Sequence, residues 1–404
     1  MRKETSVFLV FISLLLLFVL VGCDDTLKPK KGKPKSPSKR VYAAEENNFI
    51  YNFKHINDSI FKAIGAPGGA VVIVKDSTIL FLDVFGVKKQ GSLSKVNEHT
   101  AFRLGSLSKG FTGVLTAKMV EKGLLNWDDL VVNYLPEFKL ADPDQTQRVT
   151  IAHLLSHSTG LPKHSYTNLI EDGQSIADII PQLESVNLIA KEGKLFAYQN
   201  VTISIIQEII KAKTDTTFDY WLQKEIMAPL GMTDYSFSKK QFADTENKAH
   251  PHRKRTKTKF RSIRFNGKYY NALAAGGINV SVHDMGKWLN LLLGNKPEII
   301  SNESLDYIFN PLMKTSGVHG FDRWYGVDDS YYGMGWRVLD YKGRKIPYHG
   351  GTVNEYRTEI VIDRENHIAM AVLINGQCRY ASKVTPMFLY LVDELLMKKP
   401  IGKQ

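Results

Sequence analysis

Cysteine is nearly absent. Only Cys23 and Cys378 occur in 404 residues. A disulfide-stapled secreted fold is therefore excluded, and the domain must be held by its own core. No internal repeat is present, so solenoid and propeller architectures are set aside. There is no P-loop and no dinucleotide-binding glycine fingerprint. No Gly-x-Ser-x-Gly elbow surrounds Ser106 or Ser108, because the residue two before Ser108 is Ser106 rather than Gly. His153 and His157 are four apart, as helical metal ligands would be, but no His-Glu-x-x-His pattern accompanies them. They read as structural, and no metal is expected at the site.

What is present is a globular composition, 43% hydrophobic and 11% aromatic, ample for a core. The net charge is +12. Residues 1–40 hold nine Lys or Arg and three Asp or Glu, which is half of that charge. The chain begins with Arg2 and Lys3, then an apolar run over 7–22, then Val-Gly-Cys at 21–23. Residues 1–22 read as an export signal. Cys23 resembles the lipidated cysteine of a bacterial lipoprotein box, and an uncleaved membrane anchor is the alternative. Residues 23–45, rich in Lys and Pro, read as a solvated tether beside a membrane. Both readings place the rest of the chain outside the cytoplasm. A nucleic-acid partner is not expected, since the basic runs carry no interleaved stacking aromatics.

Periodicity predicts helices over 48–64, 111–122, 151–156, 176–183, 201–211, 218–226 and 282–293. A β-hairpin is predicted over 70–86, strands over 335–341, 345–349, 357–363 and 368–373, and a last helix over 383–397. Strands thus lie at both ends of the chain and helices between. The expected fold is α/β, with one antiparallel sheet built from N- and C-terminal strands and flanked by terminal helices. A helix-rich middle region stands beside it. In domain terms, one unit covers 46–398, its sheet part about 46–104 and 332–398, its helical part about 105–331.

The segment FRLGSLSKGFTG (102–113) places Ser106 and Lys109 three apart. In a helix starting near Gly105 the two share a face, with Ser106 at the positive end of the helix dipole. They are either a serine cap with a surface lysine or a nucleophile with its proton-transfer partner. Two later elements bear on the choice. Tyr198-Gln199-Asn200 follows in LFAYQNVT, and His349-Gly350-Gly351 in IPYHGGTVNEYRTEI. The three elements resemble the Ser-x-x-Lys, Tyr-x-Asn and His-x-Gly motifs of the penicillin-recognising serine enzymes, of the class C β-lactamase, DD-peptidase and esterase type. The stretches at 151–162, 226–237, 272–289 and 332–338 are similar too, so the resemblance covers about 50–397.

The resemblance implies a β-lactamase/transpeptidase-like fold and an acyl-enzyme mechanism with no cofactor. Ser106 is the expected nucleophile, Lys109 its partner and Tyr198 the general base, its phenol acidified by Lys109 and by His349. Asn200 orients Lys109 or a substrate amide. Gly350 and Gly351 form the substrate-side strand, and the N–H groups of Ser106 and Thr352 form the oxyanion hole. Gly350 stands where β-lactamases carry a hydroxyl that helps hold the antibiotic's carboxylate. This leans the reading toward an esterase or D-amino-acid peptidase acting on small acyl or peptide substrates. A β-lactamase and a non-catalytic binding protein are the alternatives. Glu355 stands where relatives often have Gly, as a solvated residue or a carboxylate at the pocket rim. The segment 248–265, with eight Lys or Arg, is a solvated loop or a contact for an anionic envelope polymer.

Overall fold

The computed structural model describes residues 43–256, 258–315, 321 and 324–396. The signal, Cys23 and most of the tether lie outside the described residues. Among the described residues, no helix is long and apolar enough to cross a membrane.

The sheet has eight strands: β1 (Gly68–Lys75), β2 (Thr78–Gly86), β3 (Met313–Lys314), β4 (Val327–Tyr332), β5 (Arg337–Tyr341), β6 (Arg344–Val353), β7 (Tyr356–Asp363) and β8 (Ile368–Ile374). Their order is β2-β1-β8-β7-β6-β5-β4-β3, antiparallel throughout. The N-terminal hairpin pairs with the last strand, Gly69 opposite Ile374 and Lys75 opposite Ile368. That register joins the chain ends as the sequence pattern predicts. β1 and β8 are almost continuously apolar because both faces of the sheet are covered.

One cover is α1 (Ala44–Ile64) with α5 (Ala381–Leu391). Phe49 and Phe53 of α1 meet Phe388 of α5 edge-on, and Phe53 meets Phe81 of β2. The other face carries α4 (Val282–Leu292), against β1 and β8. Behind it lies α2 (Ser108–Glu121), buried on nearly every side, with Phe111 stacked on Trp288 of α4 at 3.9 Å. Its buried residues include the polar Ser108, Lys109, Thr112 and Thr116 beside apolar ones, so no single apolar stripe marks the helix in the sequence.

Two boundaries differ from expectation. β3 and most of β4 precede residue 332, so the sheet part begins near 313. β3 is a two-residue edge strand and β4, beside it, is short and polar, with little alternation to reveal either. The helical part also contains a small sheet, Ala101–Arg103, Asn279–Ser281 and Tyr235–Ser236, with the second strand central.

Candidate active site

Ser106 is positioned by a change of backbone direction. The strand Ala101–Arg103 runs into Leu104, whose N–H bonds Ile278 O. Gly105 then turns with φ 57°, a left-handed conformation that costs a side chain dearly. A 3₁₀ turn over Gly105–Leu107 carries Ser106 into α2. The helix therefore starts where the motif spacing predicts, with Ser106 just ahead of its first turn.

Lys109, fully buried, points back across that turn. Its Nζ lies 3.3 Å from Ser106 Oγ, 2.8 Å from Asn200 Oδ1 and 2.8 Å from Ala275 O. Three donors meet three acceptors, the full capacity of an ammonium group. Burial lowers its pKa and Arg337 adds to this, while the Tyr198 oxygen opposes both. Asn200 begins α3 (Asn200–Thr214) and uses its amide NH₂ on Tyr269 Oη and Thr167 Oγ1.

Tyr198 sits over the same cavity. Burial alone would raise its phenol. The Lys109 and Arg337 cations, with the neighbouring Ser106 hydroxyl, outweigh burial and hold it below the usual tyrosine value. Lys109 Nζ is 4.9 Å and the Arg337 guanidinium carbon 5.3 Å from the Tyr198 ring centre.

Arg337 is the functional residue that the sequence reading missed. It supplies the second cation that had been assigned to His349. His349 lies ring to ring with Tyr198 at 6.4 Å, its Nδ1 is 2.9 Å from Gly350 O, and its Nε2 is 3.0 Å from Tyr332 Oη. Both ring nitrogens are thus within hydrogen-bond distance of an oxygen. Burial also keeps the Tyr332 phenol well above its ordinary pKa, and so protonated.

His157 was read as a structural histidine, and the site explains its burial. The helix Ile151–Leu155 ends before it, and its backbone has φ 58°. Its ring stands 4.6 Å from both Tyr198 and Tyr332. Burial first, then the Lys109 and Arg337 cations, hold it well below the ordinary imidazole pKa. Gln199 N–H donates to Nδ1, so the proton sits on Nε2. His153 is turned away to cap its own helix through Thr150.

The third motif closes the site. β5 pairs with β6 only as far as Arg337 opposite Tyr348, so, among the described residues, 349–353 pair with β7 on one side only. The 3₁₀ turn of Ser106 packs over β6 and β7 beside that edge. A Cβ on Gly351 would lie 2.0 Å from Leu104 O, and one on Gly105 would lie 2.8 Å from Thr352 N. Only glycine at both places lets the nucleophile turn approach the strand so closely. Thr358 Oγ1 ties the two by donating to Leu104 O at 2.7 Å. Beside Gly350, the space for a side chain is filled by the Arg357 guanidinium, which would stand 3.1 Å from a Cβ. Arg357 is paired with Glu359. Arg337 Nη1 is buried with no hydrogen-bond partner among the described residues. Both arginines and Gly350 line a cavity of about 280 Å³ with Phe321, Trp324 and Tyr348.

Glu355 lies in the turn between β6 and β7 with φ 68°, which accounts for glycine being favoured there. Its carboxylate pairs with Arg253 Nε at 3.0 Å and is not a lone charge at the rim. Cys378 is a free thiol, and burial pushes its pKa up, which disfavours the thiolate.

A sheet of terminal strands with a helical region beside it, and a serine, a lysine and a tyrosine meeting at the start of a buried helix, are the arrangement of the serine β-lactamase and penicillin-binding-protein superfamily. The chain belongs to the Beta-lactamase family, whose model matches residues 57–384. The match is to the family as a whole, not to class C within it. Protein flp of Staphylococcus aureus (strain NCTC 8325 / PS 47) is 22% identical over 320 residues, covering 79% of this chain and 61% of that protein. Beta-lactamase-like protein 4 of Dictyostelium discoideum is 26% identical over 278 residues, covering 63% of this chain and 48% of that protein. The chain thus spans about three fifths or less of the length of these relatives. The fold is shared with the octameric penicillin-binding protein homologue from Pyrococcus abyssi, with TM-score 0.75 and 24% identity over 88% of this chain and 79% of that one.

Proposed function

We propose that this protein is a serine hydrolase that forms an acyl-enzyme on Ser106 and acts as an esterase or D-amino-acid peptidase. The observation that carries the reading is the 3.3 Å approach of the buried Lys109 Nζ to Ser106 Oγ, under a Tyr198 phenol acidified by two cations. Tyr198, as phenolate, takes the Ser106 proton while Oγ attacks the substrate carbonyl. The tetrahedral oxygen is held by the N–H groups of Ser106 and Thr352. The protonated Tyr198 then returns its proton to the leaving group, and water repeats the cycle on the ester. Lys109 stabilises the phenolate throughout.

Among these substrates, a peptide ending in a free carboxylate fits best. Arg337, whose buried Nη1 has no hydrogen-bond partner among the described residues, belongs to the lining of a cavity beside Gly350, where its guanidinium would hold such a group. The free edge at 349–353 would pair with the peptide backbone. The test compares hydrolysis of a D-Ala-D-Ala-ended peptide with that of its C-terminal amide. The reading expects the acid to be preferred, and the preference to vanish in Arg337→Gln. Equal rates on both would remove the carboxylate assignment.

The second reading is a β-lactamase. Arg357 fills the space beside Gly350 and donates to Thr352 Oγ1 at 3.4 Å, so a cation stands near the place of the missing hydroxyl. Turnover of a penicillin faster than of a simple ester would favour it. A binding protein without turnover is the third, and hydrolysis abolished by Ser106→Ala would exclude it. The export signal and Cys23 support a place for the enzyme on the outer face of a membrane, held by a lipid. The basic hairpin His252–Lys254 and Phe260–Ser262 would then face envelope polymer. Labelled lipid precursor that fails to enter the protein, or enters Cys23→Ser equally, would remove the anchor.

A further inference from the structure

The small sheet gathers three chemistry-bearing side chains that the hydrolase reading does not use. Its register sets Ala101 opposite Ser281, which carries His99 opposite His283 two residues on. It sets Tyr235 opposite Val280, which brings Asp234 beside Ser281. Backbone bonds continue the pairing outward, His283 N to Glu98 O at 3.1 Å and Ser281 N to Asp234 O at 3.1 Å. Residues 99, 234 and 283 therefore converge from distant parts of the chain.

Their donor atoms all lie within 4.8 Å of one another. His99 Nδ1 is 2.7 Å from Asp234 Oδ2, and His283 Nδ1 is 3.9 Å from the same oxygen. The two imidazoles face each other at 4.6 Å. Ligands around a four-coordinate zinc stand roughly 3.3 Å apart, given bonds of about 2.0–2.2 Å. Side-chain rotation of about an ångström or less brings this set close to that spacing, with the backbones already in place.

The surroundings suit a ligand set better than a simple ion pair. Ser281 Oγ donates to Asp234 Oδ2 at 2.9 Å and aims it. The buried Asp284 accepts the N–H groups of Thr233 and Asp234, at 2.6 Å each, and fixes the turn beneath. His283 Nδ1 is buried with no hydrogen-bond partner among the described residues, and it lies between Asp284 Oδ1 at 3.4 Å and Asp234 Oδ2 at 3.9 Å. Glu98 adds a carboxylate 3.5 Å from His99 Nε2. The nearest cation, Lys287, is held on Asp284 at 2.9 Å, so its charge is met there.

We infer that His99, Asp234 and His283 bind a divalent transition metal, with zinc the best match. Two imidazoles and a carboxylate are the donors zinc takes, and they do not suit the hard cations magnesium and calcium. Three protein ligands leave a position for water. The metal would tie the start of the strand that leads to Ser106 to the start of α4, as a staple and not as part of the reaction. Metal binding does not depend on Ser106, so this inference and the hydrolase reading fail separately.

Calorimetric titration of zinc chloride into the untagged, chelator-stripped full-length chain tests it. One equivalent should bind, thermal stability should rise with zinc, and magnesium chloride should give neither. His283→Ala and Asp234→Asn should each weaken binding by at least the roughly 10–100-fold that even an outer-shell partner costs. His99→Gln, at a half-exposed position, gives the same loss if a buried variant fails to fold. No zinc binding by the wild type, or equal binding in the folded variants, overturns the inference.

Discussion

Lys109 Nζ donates to Asn200 Oδ1 across 2.8 Å, and this one bond joins the first turn of α2 to the first residue of α3. It also sets the division of labour. With its remaining donors on Ser106 Oγ and Ala275 O, Lys109 holds the geometry of a charged ammonium. The proton acceptor in reach is then Tyr198, whose anion that charge stabilises.

Removing the partner should therefore cost more than a hydrogen bond. Asn200→Ala leaves an ammonium proton buried and unpaired, which destabilises the fold by about 1–3 kcal/mol. Thermal unfolding of the variant measures this. Asn200→Asp adds a charge that competes with Tyr198 for Lys109, so activity should fall while stability is kept better than in the alanine variant.

Tyr198→Phe should lower acylation by about 10²–10⁴-fold, the usual contribution of a positioned base. Single-turnover rates with a p-nitrophenyl ester would show it, since shape and burial are nearly unchanged. A loss below tenfold would move the base role to Lys109.

The pH profile follows from the direction of the Tyr198 shift. In the proposed reaction the base works as phenolate, so kcat/KM should rise with pH and level off above the lowered phenol pKa. Arg337 is one of the two cations that lower it. Arg337→Gln withdraws that support, the phenol pKa rises, and the acid limb should move to higher pH. A limb that stays in place would show that Arg337 does not act on the base.

Gly351→Ala probes the approach of the sheet to the nucleophile turn. The added methyl would meet Leu104 O and Thr358 Oγ1 at 2.0 and 2.3 Å. Neither can yield without breaking the bond that ties the strand to the turn. A loss of about 1–3 kcal/mol in stability is expected, with a fall in activity as Ser106 and Thr352 separate. Unfolding and ester hydrolysis measured together would report both.

Much of this architecture could be read from the residues. Regular strands and amphipathic helices announced themselves within a few positions, and the three motifs met at one site because their segments are rigidly packed. Arg337 was illegible for a physical reason. It is the first residue of β5, directly after the irregular 333–336, and the run YGMGWRV does not say where the strand begins or which face its first residue meets. Trp336 packs beneath, against Phe309. His157 was hidden in another way, because its left-handed backbone removes it from the helix its spacing suggested. The two-residue edge strand β3 and the polar β4 beside it lack the alternation by which strands are recognised.

The central claim is that Ser106 becomes acylated. Intact mass followed over time, for the full-length chain and its Ser106→Ala variant with a p-nitrophenyl acyl ester and with a penicillin, tests it most directly. The account predicts a mass increase equal to the acyl group, formed by the wild type alone and discharged faster from the ester than from the penicillin. No adduct and no turnover with either reagent, or the same adduct on Ser106→Ala, would contradict it.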